Sequence, residues 1–245
     1  MKLNPSKCVF GVASGKFLGF MVSQRGIEAN PEKVQAIINM ASPRTVKEVQ
    51  KLTGRIAALN KFVSRATDKC LPFFKTLKQA FAWTDECEET FQDLKHYLSN
   101  PPFLSPSKEG ENLYLYLVVS TTTVSAYLIL EEAKKQLPVY YVSQAFQGAE
   151  SNYLRIEKIA FALIVTSRKL RHYFQANPIL VMTEKPIRKS MNRPEAAGRM
   201  IQWAIELSQF DIEYLPRTAI KAQALADFIA KFTFPDEGSP ADDAK

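Results

Sequence analysis

Ser151–Phe174, SNYLRIEKIAFALIVTSRKLRHYF, is the stretch that decides the fold. Ile156, Ile159, Ala160, Leu163 and Leu170 recur at helical spacing, and Ala162, Ile164 and Val165 widen the apolar stripe beyond what a surface helix carries. A helix this apolar must pack against a sheet or against other helices. Flanking segments supply the sheet: Leu113–Glu131 and Pro138–Ser143 before it, and Pro178–Thr183 after it. The order reads strand, strand, strand, long helix, strand, helix, strand, helix, which is an α/β (α+β) pattern.

The chain has 245 residues, 46% of them hydrophobic, enough to bury a substantial core and to form two domains. It contains no uncharged apolar run of about eighteen residues, and Met1 is followed by a polar, basic stretch rather than a signal sequence. An intracellular protein of the cytoplasm or nucleus, without a membrane partner, is expected. Cys8, Cys70 and Cys87 lack C-x-x-C spacing, so neither a disulfide framework nor a zinc site is indicated, and His96 and His172 are isolated. The net charge of +7 is unevenly placed: residues 1–80 carry 14 lysines and arginines against four acids. Such a basic segment fits a polyanion, nucleic acid before an acidic lipid surface.

Lys7–Val12 and Lys16–Ser23 read as a β-hairpin turning at Ala13-Ser14-Gly15, with a second turn at Arg25-Gly26. Asn30-Pro31-Glu32 is a helix start, with Val34, Ile37 and Ile38 as its buried face and Ser42-Pro43 as its stop. Thr45-x-x-Glu48 forms a capping box for the next helix. There Val49, Leu52, Ile56 and Leu59 line one face, and Lys47, Lys51 and Arg55 another at i, i+4, i+8. Three cations stacked this way repel unless an anion lies alongside, and a phosphate backbone would supply it; a solvated basic face is the alternative. Lys69–Ala80 and the segment opened by Thr84 read as further helices, the second buried through Phe91, Leu94 and Leu98 and ended by Pro101-Pro102. Ser105–Asn112 is the candidate domain boundary. Pro194–Phe210 is expected as a helix with Met200, Ile201, Ala204 and Leu207 inward, then a strand at Asp211–Leu215, a helix at Ile220–Phe232 and a frayed acidic tail. Tyr114, Tyr116, Tyr127, Tyr140 and Tyr141 could stack on bases, but strand position explains them equally well.

Three stretches carry a family resemblance: LNPSKCVFGVASGKFLGFMVSQRGIEANPEKVQAI, SPRTVKEVQKLTGRIAALNKFVSRATDKCLPFFKTLK and FAWTDECEETFQDLKHYLSNPP. They resemble the late palm, thumb and connecting helices of reverse transcriptase from gypsy-type long-terminal-repeat retrotransposons. The resemblance implies a small β-hairpin like a primer grip at residues 1–30, a helical thumb and connection at 31–107, an RNase H-like domain at 113–235 and a flexible tail at 236–245. It also implies nucleic-acid contacts from Lys16, Arg25, Arg44, Lys47, Lys51, Arg55 and Lys61. The family's Tyr-x-Asp-Asp motif would lie upstream of Met1 and is absent from these residues, so polymerisation by this chain alone is not expected.

The second half resembles the RNase H-like domain that follows in the same polyproteins, with a mixed five-stranded sheet and flanking helices. Active members use about four acids to hold two metal ions. Here the first position is Val118 and the second Ile159, with Glu157 nearby; the third is Glu184, and Asp227 meets the fourth only with a shift of register. Two apolar replacements leave too little negative charge for hydrated Mg²⁺, so no metal and no cofactor are expected unless the RNase H site works in altered form. ALADFIAKFT resembles the lead-in to the complete RNase H that follows in plant members. The expected function is a template-primer or RNA:DNA-binding fragment of such a polyprotein, partnered by duplex nucleic acid and the remaining polyprotein domains. An active RNase H using Glu157, Glu184 and Asp227, or a structural, domesticated interaction module, are the alternatives.

Overall fold

The computed structural model describes residues 11–17, 19–78, 81–133, 135–183, 187–191 and 198–217. It opens with a three-stranded antiparallel meander, β1 (Ser14–Phe17), β2 (Phe20–Ser23) and β3 (Gly26–Ala29). The first turn therefore falls at Gly19, not at Ala13-Ser14-Gly15, because φ of +80° at position 19 suits glycine and splits the expected Lys16–Ser23 strand in two. The second turn is Gln24-Arg25, one residue ahead of the expected Arg25-Gly26, because Gly26 pairs with Ser23 as the first residue of β3. Lys7–Phe10 lie outside the described residues.

Four helices follow, and local signals explain their starts. Asn30 caps α1 (Pro31–Ile38) by accepting from Glu32 N at 2.9 Å. The helix ends at Ile38, ahead of Ser42-Pro43. Thr45 caps α2 (Val46–Ala57) by accepting from Glu48 N, but the Glu48 carboxylate accepts from Arg44 N, so only half of the capping box forms. A short 3₁₀ turn (Asn60–Phe62) leads to α3 (Ala66–Lys78), and Thr84 caps α4 (Asp85–Ser99).

The second sheet contains β4 (Leu113–Val119), β5 (Thr123–Glu132), β6 (Lys135–Ala145), β7 (Ile179–Met182) and β8 (Ile212–Leu215), in spatial order β6-β5-β4-β7-β8. The β4–β5 and β5–β6 pairs are antiparallel, and the β4–β7 and β7–β8 pairs parallel. The expected helix 151–174 is divided. A 3₁₀ turn takes Gly148–Asn152, α5 runs Arg155–Lys169, and Leu170 interrupts the helix before α6 (Arg171–Ala176). Leu170 and Phe174 are both buried, so the apolar pattern continues through the break. Between β7 and β8 lie α7 (Ile187–Met191) and α8 (Gly198–Leu207). In α8 it is Trp203 that is buried with Met200 and Leu207, while Ile201 is 42% exposed, contrary to expectation. The helix expected at Ile220–Phe232 and the tail lie outside the described residues. Among those described, no helix is long and apolar enough to cross a membrane.

Two cores share the second sheet. Leu113, Leu115 and Leu117 face α5 and pack with Ala160, Leu163 and Ile164. Alternation sends Tyr116 and Val118 to the other face, where they join Tyr127, Ile129 and Tyr141 in one core with Leu59, Phe62, Phe73, Phe91 and Leu98 of the preceding helical segment. The sheet is thus a middle layer. Ser105–Asn112 links two parts that also meet directly: Thr67 N of α3 donates to Ser143 Oγ of β6 at 3.2 Å, and the Thr123 hydroxyl of β5 donates to the Asp68 carboxylate of α3.

Candidate nucleic-acid interface

The expected basic stripe on α2 is only partly a stripe. Val49, Leu52, Ile56 and Leu59 are buried, and Lys47 and Lys51 stand exposed on the outer side. Arg55 turns inward: its Nη1 donates to Ala36 O at 2.5 Å and lies 3.5 Å from Met40 Sδ. Lys95 Nζ of α4 donates to Met40 O at 2.7 Å. Two cations therefore satisfy carbonyls at and just past the C-terminal end of α1, where the helix dipole favours positive charge. Arg55 is a helix clamp. Arg44 is exposed just ahead of α2, and Arg25 is exposed on the β2–β3 turn. Lys16 is exposed and paired with Glu32. Lys61 is half-buried, its Nζ 3.2 Å from the centre of the Phe20 ring, and burial followed by the charge of Lys33 pushes its ammonium below the ordinary lysine range.

Of the positions at which the resemblance places metal-binding acids, the two described ones lie on opposite sides of the sheet. Val118 is buried on the face beneath the helical segment, and Ile159 is half-buried against the core on the opposite face. Glu157 is buried but committed. Its carboxylate accepts from Leu154 N at 2.9 Å, capping α5, and from Arg199 Nη2 at 2.7 Å, with the Arg199 guanidinium 4.4 Å from the Tyr153 ring centre. Glu184 and Asp227 lie outside the described residues. Among the described residues, no group of three or more His, Cys, Asp or Glu is placed to hold a metal ion.

Around Val118 the face is closed by polar contacts that sequence reasoning missed. Val118 pairs with Ser125, and Ser125 with Ser143, in one row across β4, β5 and β6. The two serine hydroxyls lie 3.1 Å apart, and Thr67 N at the start of α3 donates to Ser143 Oγ at 3.2 Å. Further along β5 the Thr123 hydroxyl donates to the Asp68 carboxylate, which also accepts from Arg65 Nε at 3.1 Å. Arg65 has φ of +56°, a left-handed conformation that a non-glycine residue adopts under strain. These partners come from residues far apart in the chain, and no local pattern announces them.

Residues 83–181 match the model of the RNase H-like domain found in reverse transcriptase. The chain is similar in sequence to retrotransposon polyproteins. It is 28% identical over 237 residues to the retrovirus-related Pol polyprotein from transposon 297 of Drosophila melanogaster, covering 94% of this chain and 22% of that one. It is 25% identical over 248 residues to the transposon Tf2-3 polyprotein of Schizosaccharomyces pombe, covering 98% of this chain and 18% of that one. The chain thus spans about a fifth of the length of these relatives. Its fold is that of the foamy viral protease-reverse transcriptase, solved in complex with dsDNA (TM-score 0.70, 23% identity, 86% of this chain and 46% of that one). The same viral protein solved with an RNA/DNA hybrid matches with a TM-score of 0.70 at 23% identity, over 85% of this chain and 30% of that one.

The RNase H-like match begins at Trp83, ahead of α4 and well before β4. Packing explains why α4 goes with the sheet: Phe91, Leu94 and Leu98 share the core that contains Tyr116 and Tyr127. The tyrosines of this region are packing residues. Tyr127 and Tyr141 stack at 4.5 Å with Tyr141 Oη donating to Tyr127 Oη at 3.1 Å, and burial pushes the Tyr127 phenol up to about 12 and Tyr141 further.

Proposed function

We propose that this chain is the duplex-binding part of a gypsy-type, plant-like retroelement polyprotein, and that its RNase H-like domain is a structural platform without a working metal site. The observation that carries the platform reading is the burial of Val118 under α3. A first-position carboxylate would have to stand there, and the face is occupied by packed side chains and by the Thr67–Ser143 and Asp68–Thr123 contacts. Ile159 cannot donate to a metal, and Glu157 is already neutralised by Arg199. This donor set does not fit two hydrated Mg²⁺ ions, which need several oxygen ligands apiece.

Binding is supported by the exposed cations of the basic first third, Arg25, Arg44, Lys47 and Lys51, with Lys16 and Lys61 nearer the meander. Cations of this kind recognise phosphates without regard to sequence. The remaining polyprotein domains complete the machinery to which this part contributes a grip on template-primer or hybrid. The test is an RNA:DNA hybrid incubated with the full chain and Mg²⁺ or Mn²⁺. Salt-sensitive binding without cleavage is the expected result; cleavage abolished by Glu184→Gln would favour an active RNase H, and salt-independent or absent binding an interaction module.

A further inference from the structure

The turn between β1 and β2 is built around Gly19, and the space beside it is taken by a side chain of α1. A Cβ at position 19 would stand 2.6 Å from Lys33 Nζ. The next residue, Phe20, gathers two ammonium groups: Lys61 Nζ lies 3.2 Å and Lys33 Nζ 5.5 Å from its ring centre. Lys61 Nζ is also 5.3 Å from the Phe62 ring, which is itself tilted against Phe20 at 5.7 Å. A strand, a helix and a 3₁₀ turn thus converge to place two like charges at one aromatic ring.

An aromatic face attracts one ammonium; a second beside it is repelled by the first. Among the described residues, neither Lys33 nor Lys61 has a carboxylate at salt-bridge distance. Glu32, the neighbour of Lys33, is engaged by Lys16. The cost is visible at Lys61, whose proton affinity falls through burial and through Lys33, with no acid opposing either. Partly desolvated, uncompensated positive charge held by rigid elements is the chemistry of a site that an anion completes. Phe17, paired across the turn with Phe20 and 65% exposed, adds apolar surface next to it.

We propose that Lys33 and Lys61, gathered at the Phe20 ring beside the Gly19 turn, form a binding site for a single phosphate group. The phosphate is either a backbone phosphodiester, in which case the inference rests on the duplex-binding reading above, or a free phosphate. Phe17 suits the sugar or base beside it.

The full chain, with its lysines isotopically labelled, is titrated by NMR alone, with inorganic phosphate and with a short DNA duplex. Expected is a rise in the apparent pKa of Lys61 on adding an anion. A rise with the duplex alone identifies the backbone as the source, and a rise with both identifies a general phosphate site. In parallel, Lys33→Ala with Lys61→Ala should make the log–log salt slope of duplex binding shallower by about 0.9, the release from one phosphate. Should that variant fail to fold, Lys33→Gln alone and the wild-type titration decide. No shift at Lys61 with either anion overturns the proposal, and an unchanged slope in a folded variant overturns its phosphodiester form. If the wild type binds duplex, only Lys47 and Lys51 carry the slope and neither anion shifts Lys61, this site fails and duplex binding stands. If duplex is not bound but inorganic phosphate shifts Lys61, the reverse holds.

Discussion

Val118→Asp places a carboxyl at the position that the resemblance assigns to a first metal-binding acid and asks whether the fold has room for it. Val118 keeps 8% of its surface exposed and sits among Tyr116, Tyr127 and Tyr141. Losing its apolar burial costs about 1.5–3 kcal/mol. Burying a carboxyl in its place costs about another 1–3 kcal/mol, since the nearby Ser125 and Ser143 hydroxyls already bond one another. Aspartate and valine are close in volume, so no cavity term is added. The expected destabilisation is therefore about 2.5–6 kcal/mol, a large part of a typical domain's roughly 5–15. Urea unfolding followed at Trp83, in the core beneath the helical segment, and at Trp203, in the core under α5, measures it with one probe on each side of the sheet. The double variant with Ile159→Glu should bind no Mg²⁺ at sub-millimolar concentration, because the two new carboxylates leave from opposite faces of the sheet. A double variant as stable as wild type that binds Mg²⁺ would mean that the two positions converge on one open site.

The outer cations of α2 should behave differently from its clamp: Lys47→Ala with Lys51→Ala should make the salt slope of duplex binding shallower by roughly 2 and leave stability within about 0.5 kcal/mol. Arg55→Ala should instead lower stability by about 1–3 kcal/mol, because it leaves a helix-end carbonyl unpaired, with little change of slope in an anisotropy titration. Arg199→Met, which strips the counter-charge from buried Glu157 but leaves the Leu154 N–H bond, should cost about 1–2 kcal/mol by thermal unfolding, less than a fully buried pair because Arg199 is 42% exposed. Alkaline stability follows the tyrosine pair. Folded pKa values raised above the unfolded value of about 10 mean that the folded state holds the protons longer, so stability is intact below pH ~10 and is lost as pH rises toward the folded values. Tyr141→Phe should move the alkaline midpoint upward, measured by circular dichroism.

What was legible in the sequence was what local chemistry sets. Asn30-Pro31, Thr45 and Thr84 fix helix starts through bonds to their own next turn, and the strands from Leu113 onward show themselves by alternation and by apolar runs. What was not legible depends on partners far along the chain. Periodicity put Arg55 with Lys47 and Lys51, but the carbonyl of Ala36 draws it inward. In α8 apolar residues lie nearly all round the helix, so the pattern could not choose between Ile201 and Trp203; the aromatic surroundings of Tyr153 and Phe161 chose Trp203. The same holds for the candidate site. That positions 118 and 159 carry no acid could be read directly from the residues, whereas the closure of that face by Thr67 and Asp68, and the meeting of Lys33 with Lys61 at Phe20, require α1, α3 and the meander to be placed together in space.

The most direct measurement of the central claim uses one labelled RNA:DNA hybrid, incubated with the full chain and Mg²⁺ across a salt series, with retention and strand length read from the same samples. Expected is retention that weakens steadily as salt rises, with RNA strands of undiminished length throughout. Metal-dependent shortening of the RNA, or retention indifferent to salt, would contradict the claim.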